Sequence, residues 1–251
     1  MKRLTCALVL LTVHHFAPVI HGEDTAPGPG QQVAQEFVSG KSDGTKSTIH
    51  YWLHLPKAAT PGSAEKHPLV LFLHGSGERG TQLESVKKHG PPGMIGTNAD
   101  LDSCIVVSPQ CPEKQSWNAP LLKELCDEVA KKHPVDAQRL YVTGLSMGGF
   151  GSWELLASYP GYWAAAVPIC GGGKPESAEK FQHVPIWVFH GAKDTAVPIA
   201  ASEKMIAALE AAGGKPKFTV YPEEGHASWV PAYKDPELWK WLLAQKKPAG
   251  R

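Results

Sequence analysis

Six short apolar runs, each closed by turn residues, punctuate this chain: "PLVLFLHG", "CIVVSPQ", "RLYVTG", "AAAVPIC", "PIWVFHG" and "KFTVYP". Uninterrupted apolarity over so few residues is the pattern of a strand buried on both faces, and such strands occur in parallel sheets covered by helices. Helical patterns fall between several of the runs. In "APLLKELCDEVAKK" the residues Leu122, Leu125, Cys126 and Val129 share one face; "MGGFGSWELLASY" and "PIAASEKMIAALEAAGG" behave alike, the last ending in glycines able to cap a helix. Ahead of them, "QEFVSG" and "TIHYWLHLP" flank the polar segment "KSDGTKS" as an antiparallel hairpin would. The predicted fold is therefore α/β, a mainly parallel sheet of about eight strands with helices on both faces. At 251 residues there is room for one such domain and little else. The expected division is a leader over 1–22, a Pro- and Gly-rich lead-in over 23–34, the folded domain over 35–247 and a tail over 248–251.

In a sheet of this kind, ligands gather at the carboxyl ends of the strands. One such end carries "GLSMG", residues 144–148, between the strand "RLYV" and the helix "FGSWELLASY". A glycine-flanked serine arises by chance in a chain of this composition about 0.15 times, so the pattern alone carries little weight. Its placement carries more, because a sharp strand-to-helix turn lifts the Ser146 hydroxyl above the sheet while Gly144, Gly148 and Gly149 leave room around it. A serine hydroxyl needs a base, and the base needs an orienting acid. Asp194 lies just beyond "PIWVFHG" and His226 just beyond "KFTVYP", in the order Ser, Asp, His that such a turn predicts. His133, His183 and His190 fit less well, and His190 reads as a scaffold residue. Glu223 and Glu224 are nearer to His226 in sequence but read as surface charges.

Charge developing on a carbonyl oxygen requires fixed N–H donors. Met147, the residue after the serine, offers one at a helix start. The glycine-rich loop "HGSGERG", His74–Gly80, offers the other through Ser76, with Gly77 as the alternate. Trp117 in "KQSWNAP" and Trp229, three residues after His226, sit on strand-end loops and are the aromatic candidates for contacting a substrate. Glu78 and Arg79 are candidates either for a polar contact or for a local ion pair. Trp153, Trp163 and Trp187 read as core, and Trp239 and Trp241 as the docking face of the last helix. Only "GGGKPESAEKFQHV" separates Cys170 from Pro185, too little for a helical lid, so the predicted site is open.

The N-terminal segment "MKRLTCALVLLTVHHFAPVIHG" sets Lys2 and Arg3 before an apolar stretch too short and too interrupted to span a bilayer, the layout of a secretory signal peptide. Secretion or periplasmic export, without a stable membrane anchor, follows from that reading. Its removal leaves 23 basic residues against 24 acidic ones, with no basic block for a phosphate backbone, so nucleic-acid binding is excluded as the expected function. Four cysteines then remain, Cys104, Cys111, Cys126 and Cys170, and export permits but does not require disulfides among them. None shows the spacing of a zinc site, and no metal or organic cofactor is expected.

Taken together, "LHGSGERG", "SPQCPEKQSWN", "GLSMGGFGSWELL", "HGAKDTAVP" and "GHASWVPAY" resemble the α/β-hydrolase superfamily, and within it secreted esterases grouped with predicted peptidases and polyhydroxyalkanoate depolymerase-like or feruloyl esterase-like proteins. The resemblance spans roughly residues 35–245. It implies a Ser146, Asp194, His226 triad, an oxyanion hole from the Met147 and Ser76 N–H groups, and a carboxylesterase acting on a small or polymer-linked ester. Two alternatives stay open: a serine peptidase of the same fold, and a non-catalytic binding protein on the same scaffold.

Overall fold

The computed structural model describes residues 28, 30–40, 46–60 and 63–247. The leader over 1–22, the tail over 248–251, and residues 23–27 and 29 of the lead-in lie outside the described residues, as do 41–45 of the polar segment expected to join the hairpin and residues 61–62. The strands run β1 (Gln32–Gly40), β2 (Lys46–His54), β3 (His67–Leu73), β4 (Ile105–Pro109), β5 (Val135–Leu145), β6 (Ala165–Ile169), β7 (Trp187–Gly191) and β8 (Lys217–Tyr221). The helices are α1 (Ala99–Asp102), α2 (Ala119–Lys132), α3 (Met147–Ser158), α4 (Ala200–Ala211), α5 (Trp229–Lys234) and α6 (Pro236–Leu243). β1 opens at Gln32, inside the segment expected to be lead-in, because Gln32 and Val33 pair with His54 and Leu53 of β2. Polar composition hides that register, since an edge strand needs only backbone partners on one side.

All eight strands form one sheet in the order β1-β2-β4-β3-β5-β6-β7-β8. β1 pairs antiparallel to β2, and β2 antiparallel to β4; every later pairing is parallel. All seven residues of β3 are buried. Successive side chains leave opposite faces, so Leu69, Leu71 and Leu73 join a core with α2, α3 and α4, whereas Val70 and Phe72 join a second core with α5 and α6. Burying such a side chain contributes roughly 1.5–3 kcal/mol, so the central strands are anchored by packing on both faces.

Sequence chemistry sets the helix ends. The Asn118 side chain accepts the Leu121 N–H at the start of α2, with Pro120 in the first turn. α4 stops at Gly213, whose φ of +91° lets its N–H reach Glu210 O. Trp153, Trp163 and Trp187 are core residues, and Trp239 docks α6, with its indole N–H donating to Tyr233 O. Among the described residues the four cysteines, Cys104, Cys111, Cys126 and Cys170, are free, buried thiols. Burial pushes the Cys104 thiol up to about 12, so it packs as a small apolar group. No helix among the described residues is long and apolar enough to cross a membrane. Between β6 and β7 the only helical element is a 3-10 stretch, Pro175–Phe181, and among the described residues no helical cap covers the strand ends.

One buried hydroxyl pair ties the last helices to the sheet. Thr143 of β5 donates to Val167 O at 2.8 Å, which leaves its oxygen to accept from Tyr233 of α5 at 3.0 Å. Thr143→Val would strand the fully buried Tyr233 hydroxyl. We expect a loss of about 1–3 kcal/mol, read as a fall in Tm of roughly 2–10 °C in thermal denaturation; an unchanged Tm would show the pair to be dispensable.

Candidate active site

β5 ends at Leu145 and α3 begins at Met147, so the chain reverses on Ser146 alone. Its φ of 52° and ψ of −116° lie in a region that a residue with a side chain avoids, and the surroundings hold it there. The Ser146 N–H donates to Ile169 O at 3.0 Å, while its carbonyl accepts the Phe150 N–H at 3.1 Å. The turn is so tight that a methyl on Gly148 would collide with the Leu73 carbonyl, and one on Gly144 with the Gly148 carbonyl. A methyl on Gly149 would stand 2.5 Å from Ile169 O. The three glycines are thus required by backbone approach rather than by flexibility.

Above the sheet, the Ser146 hydroxyl lies 2.9 Å from His226 Nε2, and His226 Nδ1 lies 2.7 Å from Asp194 Oδ2. The carboxylate can only accept, so Nδ1 carries the proton and Nε2 is free to accept from the hydroxyl. Asp194 is buried, and its second oxygen accepts the Ala196 and Val197 N–H groups, both at 2.9 Å. Burial opposes its ionisation, but the hydrogen bonds from His226, Val197 and Ala196 outweigh burial and hold the carboxyl below its ordinary 3.8. His190, fully buried, braces the same group: its Nε2 donates to Val197 O at 2.8 Å and lies 3.2 Å from Asp194 Oδ2. Glu223 is turned away in an exposed ion pair with Lys193. Cys170, Asp194 and His226 bring ligand atoms within 4.8 Å of one another. Those of Asp194 and His226 are committed to their mutual hydrogen bond, and burial pushes the Cys170 thiol up to about 12, so the group suits a proton better than a metal ion.

The loop 74–80 closes the site opposite His226. A methyl on Gly75 would lie 2.9 Å from Leu145 Cδ1 and 3.7 Å from Ser146 Cβ, which measures how near this backbone comes to the serine. His74 fixes the loop: its Nδ1 donates to Gly75 O at 2.6 Å and its Nε2 accepts the Cys111 N–H at 3.0 Å. Burial depresses its pKa to about 4, which keeps it neutral and preserves that pattern. Gln110 donates to Glu78 O and Gln82 O at 2.9 and 3.0 Å, and Arg79 to Ser76 O and Gln115 O, both at 3.1 Å. Among the described residues neither the Ser76 nor the Met147 N–H has an acceptor, as the first donors of a 3-10 turn and of α3 should not.

One of the two readings left open for Glu78 and Arg79 falls away. Arg79 pairs with carbonyl oxygens and not with Glu78, because neighbouring residues of a 3-10 turn point apart; the buried Glu78 carboxylate instead lies 3.9 Å from His89 Nε2. Trp229 is not among the residues that line the cleft beside Ser146, but it packs against His226. Its ring stands edge-on to His226, centroids 5.3 Å apart, and faces His89 at 5.5 Å. Trp117 does line that cleft, about 920 Å³ in volume, together with Met147, Phe150, Glu154 and Lys174. Phe150 escaped notice in the sequence. The available signal was its place one turn after Ser146, on the opposite side of α3 from the buried Leu155 and Leu156.

Residues 115–236 match the family model described as dienelactone hydrolase family. Poly(3-hydroxyalkanoate) depolymerase C of Paucimonas lemoignei is 43% identical over 137 residues, covering 48% of this chain and 31% of that protein. The bifunctional acetylxylan esterase/xylanase of Neocallimastix patriciarum is 29% identical over 162 residues, covering 61% and 22%. The chain therefore spans less than a third of either curated relative. A crystal structure described as that of a thermostable esterase superposes with a TM-score of 0.77 at 34% identity, covering 85% of this chain and 63% of that one.

The depressed Asp194 pKa carries a sign. Its stabilisation is fully present above the unfolded value near 3.8 and is lost as pH falls through the lower folded value. In urea denaturation, the stability advantage of the native protein over Asp194→Asn should hold from neutral pH to about 4 and shrink below it. An advantage that grew on acidification would contradict the assigned hydrogen bonds.

Proposed function

The chain belongs to the α/β-hydrolase superfamily, and from that premise we propose that it is a serine carboxylesterase with Ser146 as nucleophile, His226 as general base and acid, and Asp194 as the group orienting His226. The observation that carries this reading is the unbroken chain of hydrogen bonds from Ser146 Oγ through His226 to the buried Asp194 carboxylate. As Ser146 Oγ attacks the ester carbonyl, its proton passes to His226 Nε2 and the carbonyl π pair moves onto oxygen. The Met147 and Ser76 N–H groups receive that charge. Collapse breaks the bond to the alcohol oxygen, which takes the proton from His226. Water then repeats the sequence on the acyl-enzyme, releasing the acid and restoring Ser146.

The pivot residue is a serine, and Cys170, the described cysteine beside Asp194 and His226, is buried with its thiol pushed up to about 12, so this reading gives no part to a thiol nucleophile. The uncapped strand ends suit an ester carried on something bulky, whether a polysaccharide-linked, phenolic or polyester substrate. The similarity to a poly(3-hydroxyalkanoate) depolymerase and to a bifunctional acetylxylan esterase/xylanase supports that range. Export belongs to the same proposal and rests on the pattern of the first 22 residues. N-terminal sequencing of exported protein should find a new terminus near Gly22, and an intact Met1 would remove this element.

Ser146→Ala should lower the hydrolysis of p-nitrophenyl esters by at least about three orders of magnitude with no loss of Tm, and should abolish labelling by a fluorophosphonate probe. Labelling that persists in the variant would sink the nucleophile assignment. Faster turnover of aminoacyl amides than of esters would replace esterase by peptidase.

A further inference from the structure

The leaving alcohol and the acyl group of an ester depart from the reacting carbon in different directions, and only the alcohol oxygen must meet His226 Nε2, which protonates it. The 920 Å³ cleft reaches Ser146 and Met147 but is lined by no residue of the 74–80 loop or of the 222–234 segment that carries His226 and Trp229. It leads away from the proton donor. Its floor is the exposed side of α3, where Met147, Phe150, Glu154 and Ala157 follow one another at helical spacing. From Met147 to Ala157 this floor extends about 15 Å at 1.5 Å per residue.

The walls differ along that length. Near Ser146 stands Trp117, its indole N–H donating to His74 O at 3.2 Å and its ring edge-on to His74 at 4.7 Å. It rests on Gly151, where a methyl would come within 2.8 Å of Trp117 Cδ1, so that glycine lets the indole lie against the helix. On the other side Phe150 remains 44% exposed, an aromatic ring partly open to the groove and standing beside Gly172. Farther out the groove turns polar, with Glu154 on the floor and Lys174 on the wall; among the described residues neither has an ion-pair partner.

We propose that this groove binds the acyl half of the substrate, an extended group that is apolar or aromatic where it passes between Trp117 and Phe150 and polar at its far end, and that Phe150 selects for acyl groups long enough to reach it. The inference rests on the esterase reading. The alcohol then sits over Trp229 and His89, on the open side of His226, where a polymer chain meets no wall. An acetyl group ends before Phe150 and gains little from the groove.

Deacylation separates the two halves, because the alcohol has already left. Stopped-flow hydrolysis of p-nitrophenyl acetate, hexanoate and cinnamate by the full protein gives acylation from the burst and deacylation from the following steady state. In Phe150→Ala the acylation efficiency on hexanoate and cinnamate should fall about tenfold relative to acetate, equivalent to the loss of one well-buried contact. The deacylation rates of the hexanoyl and cinnamoyl enzymes should change about threefold or more. Phe150→Leu, which keeps apolar bulk, should recover part of the loss. Across acetyl esters of alcohols from methanol to 2-naphthol, the ratio of variant to native rates should stay constant. A penalty that grows with the alcohol instead, or one blind to acyl length, would overturn the assignment while leaving the esterase reading intact. Native protein with neither a burst nor fluorophosphonate labelling would remove the esterase reading, and this inference with it.

Discussion

The contact on which the site depends is the approach of the first turn of α3 to the end of β3, where Gly148 meets the Leu73 carbonyl with no space for a side chain. A helix that starts so close to its neighbouring strand leaves one residue for the reversal, and Ser146 absorbs the whole of it at positive φ. The hydroxyl is thereby raised off the sheet, and the first N–H groups of α3 are left without carbonyl partners beside it. Such backbone strain costs on the order of 1–3 kcal/mol and persists only because the two cores on either side of β3 and β5 hold the strands in place. Packing energy far from the reacting atoms is what keeps an unfavourable conformation available.

Electrostatics adds a second constraint. A buried carboxylate is costly unless its lone pairs are met, and Asp194 meets them with two backbone N–H groups and His226, with His190 at its flank. Each donor fixes a coordinate: the backbone pair sets the position of the carboxylate, and the carboxylate sets the tautomer and plane of His226. Neutral His74 does the corresponding work for the opposite loop, bonded to Gly75 O and to the Cys111 N–H. Both sides of the site are braced by buried histidines, His74 and His190.

These features differ in how far the sequence discloses them, and the reason is geometric. Ser146, Asp194 and His226 follow strands whose apolar runs are unmistakable, and a parallel sheet brings its carboxyl ends to one edge whatever the loops do. Side-chain directions within loops carry no such periodicity. Trp117 and Trp229 therefore looked equivalent, although the Gly151 shelf turns one into the cleft and the 3-10 geometry after Ser76 sends Arg79 away from Glu78. Phe150 was hidden differently, since an apolar residue on an apolar helix reads as core until the neighbouring layer is known to stop short of it. The early start of β1 was masked by polar edge-strand residues whose partners are backbone atoms.

The absence of a cap among the described residues bears on how the proposed reaction would be driven. Enzymes that close over a substrate expel water and so strengthen every charge interaction within. Here the strand ends stay uncovered, and the developing oxyanion would have to be stabilised by donors already held in place before the substrate arrives. The bonds through Gln110, Arg79 and His74 serve that end, since they immobilise the loop carrying Ser76 without drawing on its N–H. Preorganised donors require no rearrangement at the moment of reaction, so fixed loops can take the place of a moving lid. On the proposed reading, a site arranged in this way would keep its mouth free for an ester borne on a chain too large to enclose.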